Sequence, residues 1–93
     1  MAELFEMHVI AKGKVQGVFF RATTKKHADQ LGLFGSVKNL SDGSVEIIAQ
    51  GPKEKLEELL RLLKVDAHPA SVYEFDLHYR PIHQKKESFL ILR

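Results

Sequence analysis

The chain of 93 residues contains no cysteine, which excludes disulfides, thiolate nucleophiles and thiolate-bound metals. That absence suits a reducing compartment, and a cytoplasmic location is expected. No stretch reaches the ~18 consecutive apolar residues of a spanning helix, so no membrane association is expected. The first residues include Glu3 and Glu6 and lack a basic leader, so no signal peptide is expected. Charge of one sign is also scarce. A formal net charge of +2 favours a small anion but falls short of the basic stripe that binds nucleic acid. The five histidines, His8, His27, His68, His78 and His83, form no His-x-x-x-His pair. No metal and no cofactor are therefore expected.

What is present is ordinary for a globular protein, with 44% hydrophobic and 28% charged residues. Repeats, low-complexity tracts and linkers are missing, and residues 1–93 are expected to form one domain. The hydrophobic period orders the elements. Phe5, Met7, Val9 and Ala11 alternate with Glu6, His8 and Ile10 and predict a strand from Leu4 to Lys12. A loop from Gly13 to Gly17 follows. Phe20, Thr24, His27, Ala28 and Leu31 fall on one stripe of a helix from about Phe19 to Gly32, with Gly32 a suitable stop.

Two strands, Phe34 to Leu40 and Ser44 to Gln50, flank Asp42-Gly43, a hairpin signal. Gly51-Pro52 is expected to open a second helix, with Pro52 in its first turn and Leu56, Leu59, Leu60 and Leu63 as its apolar stripe. Val72, Phe75, Leu77 and Tyr79 predict a strand after Pro69, and Phe89 to Leu92 a short last one. This order predicts a ferredoxin-like split βαβ sandwich of the α+β class, two helices on one face of an antiparallel sheet. The fold hosts many functions, so chemistry must be read from a site.

The first helix lacks a cap. Between Gly13 and Phe20 there is no Ser, Thr, Asp or Asn, so its first N–H groups need water, another group or a ligand. A bare helix start attracts anions, and Gly17 allows close backbone approach. Arg21 sits in the first turn, where the dipole disfavours a cation unless an anion is bound. Arginine matches phosphate through its planar fork of donors. An exposed arginine in a surface ion pair fits the spacing equally well. Asn39 shares strand parity with Val37. If Val37 packs under the helices, Asn39 faces the same side, near the first helix start. An asparagine stabilising the turn beside Asp42-Gly43 is the plainer alternative.

The run Gly13-Lys14-Val15-Gln16-Gly17-Val18-Phe19-Phe20-Arg21 resembles the acylphosphatase signature, Gly-x-Val-Gln-Gly-Val-x-Phe-Arg. Gly35-Ser36-Val37-Lys38-Asn39, continuing through Leu40-Ser41-Asp42 to Gly43-Ser44-Val45 and Gly51, resembles the family's second signature. Leu31-Gly32-Leu33, Pro69-Ala70-x-Val72 and Phe89-x-Ile91 are also similar to family members.

The resemblance implies a metal-independent hydrolase of acyl phosphates that yields a carboxylate and inorganic phosphate. It implies Arg21 as phosphate ligand and Asn39 as orienter of the attacking water. Backbone N–H groups of Gln16, Gly17, Val18, Phe19 and Phe20 would complete the cradle. A monomer is expected. One departure is Ser36, where the family usually carries a bulky residue. By parity Ser36 faces away from Asn39, and intact catalysis is expected. Two other readings compete: a non-enzymatic anion or nucleic-acid binding module, and a carbamoyl-phosphate-handling module like those inside hydrogenase-maturation enzymes. The first is weakened because Ser44 to Gln50 holds no base-stacking aromatic, the second because the chain is short.

Overall fold

The computed structural model describes residues 3–17, 19–65 and 71–93. Val18, His68 and the Pro69-Ala70 pair lie outside them. The elements run β1 (Leu4–Lys14), α1 (Phe20–Leu31), β2 (Phe34–Asn39), β3 (Val45–Pro52), α2 (Lys53–Val65), β4 (Ser71–Arg80) and β5 (Phe89–Leu92). The sheet order is β4-β1-β3-β2-β5. The first four strands pair antiparallel, and β5 joins the edge parallel to β2, with Val37 beside Ile91. The sheet is therefore mixed rather than purely antiparallel. A strand that arrives after a connection crossing the sheet end can add parallel to β2, whereas a tight hairpin cannot do so.

Both helices cover one face. Alternation puts Met7, Val9 and Ala11 of β1, Val37 of β2 and Val45, Ile47 and Ala49 of β3 into the core. Phe20 and Ala28 of α1 and Leu56, Leu59, Leu60 and Leu63 of α2 close over them. The predicted leucine stripe is buried as a unit, because i, i+3, i+4, i+7 spacing keeps those side chains on one line.

Three boundaries differ from the sequence expectation. β1 continues to Lys14, because β4 pairs along it with a register shift between Lys12 and Gly13. The bulge places Val72 on the same side as Phe75, Leu77 and Tyr79, all packed on the core, and turns Tyr73 outward. Pro52 ends β3 opposite Leu4 instead of opening α2, which begins at Lys53. The β2–β3 connection spans Leu40 to Ser44, since Asn39 pairs with Val45. The Asp42 carboxylate accepts the Ser44 N–H and hydroxyl. Hydrogen bonds from the Ser44 side chain and then its backbone hold that carboxyl below its usual range. Gly32 caps α1 as expected, at φ 71°, its N–H reaching the carbonyls of Ala28 and Asp29.

Candidate active site

Where β1 hands over to α1, two successive phenylalanines take opposite directions. Phe20 is 2% exposed and anchors the helix in the core, whereas Phe19 is 81% exposed. Phe19 is the N-cap at φ 63°, ψ 17°, in the left-handed region. For a bulky residue that conformation costs about 1–3 kcal/mol. Its carbonyl accepts the first helical bond from the Thr23 N–H at 3.0 Å. Among the described residues no side chain caps the helix start, and no acidic residue lies in the first turn. The bare N-terminus expected from the sequence is present. Gly17, two residues earlier, lies at φ 74°, a conformation that glycine adopts without strain.

Arg21 projects from that first turn toward the sheet edge. Its Nη1 donates to the Leu92 carbonyl of β5 at 2.9 Å. One turn on, Lys25 donates to the Phe89 carbonyl at 2.8 Å and pairs with Asp29 at 2.9 Å. Cations at i and i+4 thus fasten one helix face to β5. Of the five donors of Arg21, this bond uses one, and no carboxylate neutralises the guanidinium among the described residues. The surface ion pair that the spacing allowed does not form there.

Asn39 ends β2 on the helix side, as its parity with Val37 requires. Its Oδ1 is buried and has no hydrogen-bond partner among the described residues. Such an orphan costs about 1–3 kcal/mol unless a ligand or water supplies the partner. A half-turn of the amide exchanges its acceptor and donor ends, so either chemistry can be offered.

Arg21 and Asn39 line one cleft of about 280 Å³, together with Val15, Gly17, Phe19, Phe20, Ala22 and Ile91. They are its only polar side chains among the described residues. Among the described residues lining the cleft there is no carboxylate, imidazole or hydroxyl that could serve as general acid or nucleophile. Of the residues expected from the sequence, Gly17, Phe19, Phe20, Arg21 and Asn39 are brought together. Gln16 is not among the lining residues. Its Nε2 donates to the carbonyls of Leu40 and Ser44, both at 2.7 Å, tying the loop to the hairpin that follows Asn39. Val15, Ala22 and Ile91 were not expected as walls. Nothing local in the sequence marks Ile91, because its place comes from the parallel pairing of β5 with β2.

A larger cleft of about 420 Å³ opens where β1 begins and β4 ends, lined by Leu4, Phe5, Tyr79 and Arg80 among others. Arg80 there is paired with Glu6, so its charge is already spent. The smaller cleft is the one that joins a buried amide oxygen without a partner among the described residues to a bare helix start.

The acylphosphatase family model matches residues 7–91. This chain belongs to the acylphosphatase family. It is similar to the acylphosphatase of Enterococcus faecalis, at 38% identity over 95% of this chain and 98% of that protein. The acylphosphatase of Alkalilimnicola ehrlichii is 53% identical over 59% of this chain and 62% of that protein's length. The crystal structure of acylphosphatase from Bacillus subtilis superposes with a TM-score of 0.91 at 31% identity, covering 96% of this chain and 99% of that one.

Proposed function

We propose that the protein, an acylphosphatase, hydrolyses carboxyl–phosphate mixed anhydrides in the cleft between α1 and the end of β2. The observation that carries this reading is the meeting of an unneutralised Arg21, an orphaned Asn39 amide and a bare helix N-terminus in one small cleft. The guanidinium and the N–H groups of Gln16, Gly17, Phe19 and Phe20 bind the phosphoryl oxygens, with the helix dipole adding to the field. With phosphate bound, the unfavourable placement of Arg21 in the first turn changes sign.

Asn39 Oδ1 accepts a hydrogen bond from a water and turns its lone pair toward phosphorus. The water oxygen bonds to phosphorus, the bond from phosphorus to the acyl oxygen breaks, and the carboxylate leaves with that electron pair. The water proton passes to a phosphate oxygen or to solvent. A carboxylate has a conjugate acid of pKa ~4, so it departs without a proton donor. That is why positioning and charge stabilisation suffice here.

We further propose that the enzyme works without metal, as a cytoplasmic monomer formed by a single domain, and binds no nucleic acid. The open sheet face supports the last point. It interleaves Glu46, Glu74 and Asp76 with Lys12 and Lys38, pairs Glu6 with Arg80 and Lys12 with Glu74, holds His8 to Glu46 at 2.9 Å, and has no base-stacking aromatic on β3. Charges of both signs are mixed and partly paired, so the face offers no concentrated basic stripe to a phosphate backbone.

The test is steady-state hydrolysis of benzoyl phosphate in the presence of a chelator. Arg21→Gln should lower kcat/KM by about 10³-fold or more, and Asn39→Ala should lower kcat by about 10²-fold or more, both in folded protein. Near-wild-type turnover in either variant would remove the role assigned to that residue.

A further inference from the structure

The polar groups of the cleft account for only one end of a substrate. Beyond Arg21 and Asn39 the walls are apolar, formed by Val15, Phe19, Ala22 and Ile91. The cleft, of about 280 Å³, extends past the two polar groups along this apolar wall. The acyl portion has to lie somewhere along this wall.

Phe19 is the unusual member. Its ring is 81% exposed, so burial within the fold recovers little of the cost of placing it. Its backbone sits at φ 63°, a conformation that glycine would adopt at no steric cost. The neighbouring aromatic, Phe20, already supplies the core anchor. A wet aromatic ring on strained backbone, at the mouth of a reactive cleft, is explained if a substrate group covers it. Ile91, 41% exposed, brings a second apolar surface to the same cleft from β5.

We propose that Phe19 and Ile91 form the acyl subsite and make the enzyme prefer acyl phosphates with an aromatic or extended apolar acyl group over acetyl phosphate. The proposal rests on the hydrolytic reading of the same cleft. Phe19 thereby serves twice, its main chain toward the phosphate and its ring toward the acyl group.

The experiment compares kcat/KM for benzoyl phosphate and acetyl phosphate in the wild type, Phe19→Ala, Phe19→Leu and Ile91→Ala. Any damage to the phosphate end affects both substrates, so the ratio isolates the acyl contribution. Comparing the ratio between wild type and variants also cancels the intrinsic reactivities. Inhibition by inorganic phosphate reads the phosphate end separately, and circular dichroism verifies the fold.

Phe19→Ala should lower the benzoyl-to-acetyl ratio by about tenfold, the scale of discrimination by apolar pockets. Phe19→Leu and Ile91→Ala should fall between it and the wild type. A ratio unchanged in folded Phe19→Ala overturns the subsite while leaving hydrolysis at Arg21 and Asn39 in place. Undiminished turnover of both substrates in Arg21→Gln overturns the hydrolytic reading and this proposal with it.

Discussion

Gln16→Ala tests whether the phosphate loop is held in place by the hairpin. The side chain gives both of its Nε2 hydrogens away, to Leu40 O and Ser44 O at 2.7 Å each. Each acceptor also has a backbone donor, Gly43 N–H to Leu40 O at 3.2 Å and Leu40 N–H to Ser44 O at 2.9 Å. Truncation therefore leaves neither carbonyl orphaned, and the larger penalty for an unsatisfied buried group does not apply. What is lost is two net hydrogen bonds, about 1–2 kcal/mol together. In a domain of this size that lowers Tm by about 5–10 °C.

The loop then moves against the end of β2, and Arg21 and Asn39 lose their mutual alignment. A misplacement on the scale of 1 Å can cost about 10²-fold, so kcat/KM should fall by about tenfold to a hundredfold. Gln16→Glu is the decisive companion. At neutral pH a carboxylate has no hydrogen to donate and would face two carbonyl oxygens, so it should be less stable than Gln16→Ala. Urea unfolding followed by circular dichroism measures stability, and acyl phosphate hydrolysis measures activity. Should Gln16→Ala match the wild type in stability, or Gln16→Glu prove no worse than Gln16→Ala, the tether is refuted.

Two further outcomes follow from the polar groups. Asn39→Ala, which should abolish most turnover, also removes a buried unpaired amide oxygen; unfolding should show a gain of up to about 1 kcal/mol, and a clear loss would mean that the amide is satisfied in solution. Glu6 is buried near the start of β1. Burial alone would raise its pKa, but hydrogen bonds from Gln50 (2.9 Å) and from the Arg80 guanidinium outweigh that and hold the carboxyl below its ordinary value. Its stabilising contribution is complete above the unfolded-state value of ~4.3 and is lost as pH falls through and below that range. Glu6→Gln should therefore be less stable at pH 7 yet flatter on the acid side, measured as urea midpoint against pH; parallel curves for the two proteins would count against this pairing.

Much of the fold could be read along the chain because it depends on periodicity. The stripe Leu56, Leu59, Leu60, Leu63 and the alternation Met7, Val9, Ala11 need only 3.6- and 2-residue repeats to choose their inward face. Gly32 could be read as a stop because its left-handed φ is a local matter. The bare start of α1 was legible for the same reason, since capping depends on a few adjacent residues. Asn39 followed from parity with Val37, one step further from local.

Other features depend on partners distant in the chain. The end of β1 at Lys14 and the outward turn of Tyr73 come from a bulge that only pairing with β4 creates. Pro52 ends β3 because Leu4 lies opposite it. The parallel seat of β5 brings Ile91 into the cleft and the Leu92 carbonyl to Arg21, across a sequence separation no local pattern reports. Residue types and short-range periods thus determined the elements, the bare helix start and the two polar groups. The tertiary structure alone decided that Gln16 is a tether, that Arg21 meets no carboxylate among the described residues, and that Phe19 stands exposed at the cleft. Those outcomes depend on which backbone carbonyls and apolar walls the sheet brings within a few ångströms.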